Sequence, residues 1–310
     1  MTAVVETATK AAQVPPSVDE IDARRAHKPL SITRVVVSVV MLAIAAWFIR
    51  FVLTNPRLEW SVVGQYLFSA QVLDGLLTTL VLAVVAQTLG TLLGIVFALF
   101  RLSAFAPLRW VGTLYVTVLR SIPVLLQLIF WFNLAYLFPE LSIGIPFGPT
   151  FGSWSANTVI TPVVAAVLGL SLAQGAYMTE IIRAGILSVG AGQRDAARAL
   201  GYTPAQTFRR VILPQATRVV IPPTGSQFIT VVHGSSLVSV IAVGDLLFSV
   251  QNVYERTYQI VPLLLVAVIW YLVAVLVLTF FQQRLERRFS RGHSRTPVAK
   301  RSLFTRSGIR

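Results

Sequence analysis

The sequence predicts an all-α integral membrane protein of about six transmembrane helices with both termini cytoplasmic. Three observations carry that expectation. The chain is apolar, with a mean hydropathy of +0.73 and 55% hydrophobic residues. Only 12% of its 310 residues are charged, against roughly 25% in soluble domains. Its net charge of +14, from 26 Lys and Arg against 12 Asp and Glu, is concentrated between apolar stretches. A soluble chain this apolar would expose large sticky patches. Disorder over most of the chain is excluded, because disorder needs low hydrophobicity. Basic excess alone can indicate nucleic acid, but a nucleic-acid binder is not normally this apolar, so no nucleic-acid partner is expected.

The chain contains no cysteine, which excludes disulfides, thiolate metal sites and a cysteine nucleophile. His27, His233 and His293 lie far apart and match no ligand spacing, so no metal is expected.

About 20 mostly apolar residues cross a bilayer core. The first span is read at 32–53. Thr54-Asn55-Pro56-Arg57 follows it rather than a small-residue cleavage pattern, so it reads as a retained helix and not a signal peptide. The second span is read at 76–100. The third lies within 110–138 and is interrupted by Arg120 and Pro123. That stretch exceeds one span, so 102–118 is expected to lie partly along the interface. The fourth, fifth and sixth spans are read at 159–182, 219–243 and 260–281. With six spans, 22 of the 26 Lys and Arg fall on one side, which the positive-inside rule makes cytoplasmic. The connection 139–157 has no Lys or Arg and is rich in Gly, Pro and Ser, as expected of an ordered or semi-ordered external loop. The basic tails 1–31 and 289–310 read as disordered. Such tails attract anionic membrane lipid at about 1 kcal/mol per charge.

The cytoplasmic stretch 183–218 is built differently from the short turns. Residues 188–192 read as flexible, and 193–200 as a short helix. Asp195 is expected in the first turn of that helix, at the positive end of its dipole. Gly201 ends it. Thr203 is expected as an N-cap, with Pro204 in the first helical position and Gln206 completing a capping box. This second helix is expected to run to Leu213 and stop near Pro214. Two short helices held at an angle between two spans suit a docking element better than a connector.

Residues Asp195-Ala196-Ala197, Gly201, Val211 and Leu213-Pro214 resemble the cytoplasmic signature of ATP-binding-cassette importer permeases. That signature is Glu-Ala-Ala, three residues, Gly, nine residues, Ile, one residue and Leu-Pro. The spacing is the same, with Asp for Glu and Val for Ile. Gly175-Ala176-Tyr177, Glu180 to Gly185, Gln206 to Ala216, Gln227-Phe228-Ile229, Ser236 to Ile241 and Arg120 to Gln127 are similar to the subfamily that carries polar amino acids. The resemblance covers about 76–288, the expected permease domain. It implies a five-helix core, to which 32–53 is an added N-terminal helix.

The resemblance implies a multi-pass permease subunit in a bacterial cytoplasmic (inner) membrane that moves a polar amino acid inward. It implies an ATPase subunit as partner, an extracytoplasmic amino-acid-binding protein, and a second permease subunit in a homo- or heterodimer. ATP and magnesium would sit on the ATPase, with no cofactor in this chain and no enzymatic role for it. The sequence is compatible, since it has no Gly-x-x-x-x-Gly-Lys-Ser/Thr phosphate loop. The alternative is a self-contained secondary transporter or channel, which needs neither ATPase nor binding protein.

Asp195, Ala196, Ala197, Gly201, Val211, Leu213 and Pro214 are the expected ATPase-coupling residues. Asp195 either meets the ATPase or ties down its own loop. Arg120, Gln127, Gln174, His233, Ser235, Ser236 and Asp245 are the candidate translocation-path residues. Ionisable and amide groups inside a bundle usually face its interior or a cavity. A substrate amino acid needs donors for its carboxylate and acceptors for its ammonium. Arg120 either meets that carboxylate or snorkels and braces the Pro123 kink. His233-Gly234-Ser235-Ser236 is expected to break the fifth span, as in transporters with discontinuous helices. Glu180 is expected to brace the loop. Asp245 is read as a contact for ammonium or binding protein, or as a solvated outer-loop acid.

Overall fold

The computed structural model describes residues 32–145 and 150–289. The expected disordered tails 1–31 and 289–310 lie outside the described residues, except for Phe289, which is helical. Residues up to Leu58 and residues from Glu59 onward form separate compact units. In the first unit, α1 (Ile32–Thr54) is a 23-residue apolar helix with no buried residue, long enough to cross a membrane. A 3-10 turn at Pro56–Leu58 follows it.

The second unit begins with α2 (Trp60–Leu67), a helix between the first two expected spans. α3 (Ala70–Leu102) has 33 residues, about 50 Å at 1.5 Å per residue. α4 (Ala106–Ser121) and α5 (Val124–Phe132) replace the expected third span and meet at 101°. Pro123, with its fixed φ and missing N–H, sits at the break. The break explains why one straight span does not form over 110–138. α6 (Leu134–Leu137), a two-stranded antiparallel hairpin and α7 (Ala156–Val159) follow. The strands are β1 (Glu140–Gly144) and β2 (Thr150–Ser155), with Glu140 opposite Ser155 and Leu141 opposite Trp154. The loop rich in Gly, Pro and Ser is therefore ordered by strand pairing over the residues described.

α8 (Pro162–Leu187) starts at Thr161, whose hydroxyl accepts from the Val164 N–H, with Pro162 next in line. α9 (Ala191–Ala199) and α10 (Pro204–Thr207) form the loop helices. A π-helical segment, Phe208–Ile212, then leads without a stop into α11 (Leu213–Gly234). The expected end of the helix at Pro214 does not occur. A proline ring clashes with the carbonyl four residues earlier, and a widened π turn just before it relieves that crowding. α11 becomes a 3-10 helix at Ser235–Ile241, the expected interruption of the fifth span. α12 (Leu246–Thr257), also unforeseen, precedes α13 (Ile260–Phe289). The helical run Pro204–Ile241 and α12 are bent by 44° relative to each other. Among the described residues, four helices are long and apolar enough to cross a membrane, or six if each bent pair counts as one span.

The most extensive helix pair is α3 with α8. Gly90 and Gly94 on α3 make it close. A Cβ at Gly90 would lie 2.8 Å from Gln174 Cβ, and one at Gly94 2.5 Å from Met178 Cβ. Small residues let helix backbones approach in lipid, where dispersion and hydrogen bonds replace the hydrophobic drive. A buried cluster then forms from Leu82 and Ala86 on α3, Leu128 on α5, Ala166 and Leu170 on α8, and Val231 and Val232 on α11. A second cluster joins Val63 of α2, Val72 of α3, Leu246 and Val250 of α12, and Leu263 and Val266 of α13. The Trp270 indole donates to the Leu67 carbonyl at 2.7 Å, and the Gln71 amide to the Ser249 carbonyl at 3.1 Å.

Gly94→Leu is expected to cost about 1–3 kcal/mol through overpacking and to lower the melting temperature of the purified protein. Gly64→Ala, where a Cβ meets nothing within 4 Å, is the comparison and should leave melting unchanged or slightly raised.

Candidate functional site: a capped helical loop and the cavity between its helices

The loop between α8 and α11 is stiffened by local hydrogen bonds. α9 begins at Ala191 after Gly190, four residues before Asp195. Asp195 is therefore not in the first turn, and the expected dipole interaction is corrected. The residues Ala191 and Gly192, read as a flexible turn, already satisfy helical backbone bonds. The Asp195 carboxylate instead faces Arg198 at 3.7 Å, an exposed pair one turn on, of a kind that contributes little to stability. Gly201 has φ +77. Its N–H donates to the Arg198 carbonyl at 2.9 Å, and the Tyr202 N–H to the Ala197 carbonyl at 3.0 Å. That pair of bonds is a Schellman ending, which needs a left-handed residue where Gly201 stands. The Thr203 hydroxyl accepts from the Gln206 N–H at 3.3 Å, and Gln206 Oε1 accepts from the Thr203 N–H at 2.9 Å. The expected capping box is complete.

One face of this loop is anchored and the other is open. Ala197 is buried. Arg194 Nη2 donates to the Ile186 carbonyl at 2.9 Å. Val189, Ile212 and Ala216 are buried together against Ile186 and Phe208. Asp195, Ala196, Leu200, Gly201, Leu213 and Pro214 are exposed, and Val211 is half-buried. Leu200 is 74% exposed, and it was not singled out from the sequence. Leu200 thus adds one apolar side chain to the open face of a basic loop.

α8 and α11, the two helices this loop joins, also line a cavity of about 230 Å³ with Val124 and Leu237. Gln174 and Tyr177 come from α8; Gln227 and Thr230 come from α11. Gln174 is buried and donates to Gln87 Oε1 at 2.9 Å, while Gln87 Nε2 donates to Thr91 Oγ1 at 3.1 Å. The Arg120 guanidinium lies over the Tyr177 ring, 5.1 Å from its centroid, a cation–π contact. Gln174 lines the cavity with Tyr177, Gln227 and Thr230, whereas Arg120 is exposed, is not among the lining residues and meets the cavity only through its contact with Tyr177. Tyr177 and Gln227 stood within the segments that carried the resemblance, but no single-residue signal marked them as cavity-lining.

The remaining path candidates are elsewhere. Gln127 is buried and its amide donates to the Leu119 and Ile122 carbonyls, both at 2.9 Å. It satisfies backbone acceptors released where Pro123 breaks the helix. Ser235 and Ser236 donate to the Val232 and His233 carbonyls at 2.7 and 2.8 Å. His233 is exposed on α11 and is not among the residues lining this cavity. Asp245 is not a solvated loop acid: it is fully buried at the start of α12. Its carboxylate accepts from the Leu247 and Phe248 N–H groups at 3.3 and 3.0 Å and from the Tyr271 hydroxyl at 3.4 Å. Glu180 joins Arg101 of α3 to Arg183 of α8, so it braces a helix pair rather than the expected loop.

Comparison with known proteins agrees with this arrangement. Residues 90–291 match the family described as the binding-protein-dependent transport system inner membrane component. The arginine transport system permease protein ArgU of Corynebacterium glutamicum is 35% identical over 269 residues, 86% of this chain and 83% of that protein. The L-cystine transport system permease protein TcyB of Bacillus subtilis is 37% identical over 76% of this chain and 94% of that one. The glutamate/aspartate import permease protein GltK of Escherichia coli O6:H1 is 35% identical, over 74% and 97% of the two chains. Among solved structures, an amino acid ABC transporter with histidines is similar at 35% identity and a TM-score of 0.60, over 70% of this chain and 94% of that one. A chain of the MetNI methionine ABC transporter, at 20% identity and a TM-score of 0.58, shares the fold.

Gly201→Ala forces an L side chain into the left-handed region and is expected to cost the loop about 1–2 kcal/mol. Amide hydrogen exchange over 196–207 should quicken by roughly five- to thirtyfold, with α3 and α8 unchanged.

Proposed function

Because the chain belongs to the binding-protein-dependent transport system inner membrane component family, we propose that it is the membrane-spanning subunit of an importer for a polar amino acid. One observation carries this reading beyond the family. The segment from Asp195 to Pro214 stands on a rigidly capped, outward-facing loop that joins the two helices lining the Gln174 cavity.

The partners follow from the division of labour. An ATPase subunit binds ATP and magnesium and receives the loop at Asp195, Ala196, Ala197, Gly201, Val211, Leu213 and Pro214. An extracytoplasmic binding protein supplies the amino acid. A second permease subunit completes the path. Both chain termini and the loop lie on the cytoplasmic side of the inner membrane, as the positive-inside distribution supports.

Coupling is mechanical. The Schellman ending and the capping box make the loop a lever of fixed shape. The Arg194 bond to Ile186 and the Val189–Ile212–Ala216 cluster join that lever to α8 and α11. When the ATPase pair closes, displacement of the loop changes the separation of Gln174 and Tyr177 from Gln227 and Thr230. Pro222 and Pro223 interrupt the hydrogen-bond ladder of α11 between loop and cavity, so α11 bends there at lower cost than an unbroken helix. Beside the cavity, against the Tyr177 ring, Arg120 supplies donors for the substrate carboxylate. The amide oxygens of Gln174 and Gln227 and the Thr230 hydroxyl supply acceptors for the ammonium. His233, exposed on the same helix, lies outside the cavity lining and is given no part in this step. Gln127, Ser235, Ser236 and Asp245 hold the broken helices in place.

Copurification tests the docking reading. Asp195→Arg and Gly201→Arg should each remove the ATPase subunit from the purified complex and abolish ATP-driven uptake in vesicles. Retained binding and uptake in both would overturn it, and uptake with no ATPase present would favour a self-contained transporter. Gln174→Leu should raise the KM for uptake about tenfold, on the order of 1.4 kcal/mol, with ATPase copurification intact. An unchanged KM would remove Gln174 from the path.

A further inference from the structure

A second polar cavity, of about 350 Å³, opens beside the C-terminal ends of α3 and α8, away from the loop motif and the Gln174 cavity. It is lined by Arg101, Arg109, Trp110, Thr113 and Arg183. The lining holds three guanidinium groups and no carboxylate. Glu180, the acid that touches this group, is shared between Arg101 and Arg183. Three positive charges against one negative leave an excess of two at the mouth of a membrane helix pair. Arg109 Nη1 donates to the Ser103 and Ala104 carbonyls at 3.3 and 2.9 Å. These bonds hold its head beside the cavity, while a guanidinium has five N–H donors in all.

The cavity has firm walls. The Tyr115 ring stacks on Phe97 at 3.7 Å between centroids and 10° between planes. Its hydroxyl donates to the Leu172 carbonyl at 2.8 Å. These contacts clamp α4 to α3 and α8, so the arginines are positioned in advance and less ordering is needed on binding.

The neighbouring face of α4 is apolar and uncovered. Phe105, Trp110, Val111, Leu114 and Val118 are all exposed. Positions 110, 111, 114 and 118 recur on one helical face. Trp110 is 75% exposed, and indole rings favour the level of lipid headgroups. A cluster of guanidinium groups that continues into an apolar helix face complements a ligand with a phosphate at one end and hydrocarbon at the other.

We propose that this cavity binds the phosphate of an anionic phospholipid, with the acyl chains lying along the exposed face of α4. Arg109 and Arg183 supply donors to the phosphate oxygens, and guanidinium groups suit that geometry. Glu180 keeps Arg101 and Arg183 at the right separation. The site rests on the membrane-spanning fold and not on the docking of an ATPase.

Native mass spectrometry of the full transporter complex tests the assignment, after equilibration with equal amounts of phosphatidylglycerol and phosphatidylcholine. The wild type should retain phosphatidylglycerol in preference to phosphatidylcholine. Arg109→Gln should lower that retention about fivefold (about 1 kcal/mol), and Arg109→Gln with Arg183→Gln should lower it further. Phosphatidylcholine retention and the control Arg256→Gln should not change. Arg109 is exposed, so its single variant carries the test if the double variant fails to fold. Unchanged phosphatidylglycerol retention in Arg109→Gln would overturn the proposal. So would equal displacement of the lipid by inorganic phosphate, which would make the site one for free anions. Loss of the ATPase subunit with lipid still retained would also overturn it, by making the cavity a protein contact.

Discussion

The close contact between α3 and α8 is the constraint on which the other features depend. Gly90 and Gly94 remove side chains where Gln174 and Met178 must pass. In lipid there is no hydrophobic gain from bringing two apolar helices together, so close packing and hydrogen bonds must supply the attraction. That approach places Gln174 within reach of Gln87, and Glu180 within reach of Arg101. It also sets one wall of each of the two cavities. The Gln174 cavity uses the middle of α8, and the arginine cavity uses the C-terminal ends of both helices.

A chain that breaks its helices inside an apolar bundle must satisfy the backbone groups it releases. Each break here has a local answer. At Pro123, Gln127 returns to the Leu119 and Ile122 carbonyls. At Gly234, the Ser235, Ser236 and Ser239 hydroxyls donate to carbonyls three residues back. At the start of α12, the Asp245 carboxylate takes two backbone N–H groups and the Thr79 hydroxyl takes that of Leu246. Side chains that look like substrate ligands in the sequence are used here as local braces. The Gln174 amide is not spent on backbone, and it is the one that reaches a cavity.

The loop and the Gln174 cavity share their two supporting helices, α8 and α11, so under the proposed function docking and path are tied without a chain of weak contacts between them. Coupling needs an element with two arrangements that both sites bias. Under the proposed function that element is α11, which has a π segment at its start, paired prolines along its length and a 3-10 end. α8 is continuous over 26 residues and serves as the fixed partner.

By itself the sequence determined the properties set by composition and by neighbours in the chain. Apolar runs marked the helices that are long enough to cross. Gly201 and the Thr203–Gln206 box marked the loop, because caps are local interactions among residues three to five apart. The Pro123 break and the end of α11 at Gly234 were legible for the same reason. α2 and α12 were not, since their short amphipathic runs become helices by packing on α3 and α13, and tertiary burial overrides weak local signals. The start of α9 at Ala191 was not legible either, because Gly190 caps it without a side chain. Tertiary structure alone decided which polar residues face a cavity. Gln127, Gln174 and Asp245 look alike in an apolar sequence, but Gln127 and Asp245 turn to backbone groups at nearby helix breaks, while Gln174, packed against Gln87 of α3, reaches a cavity.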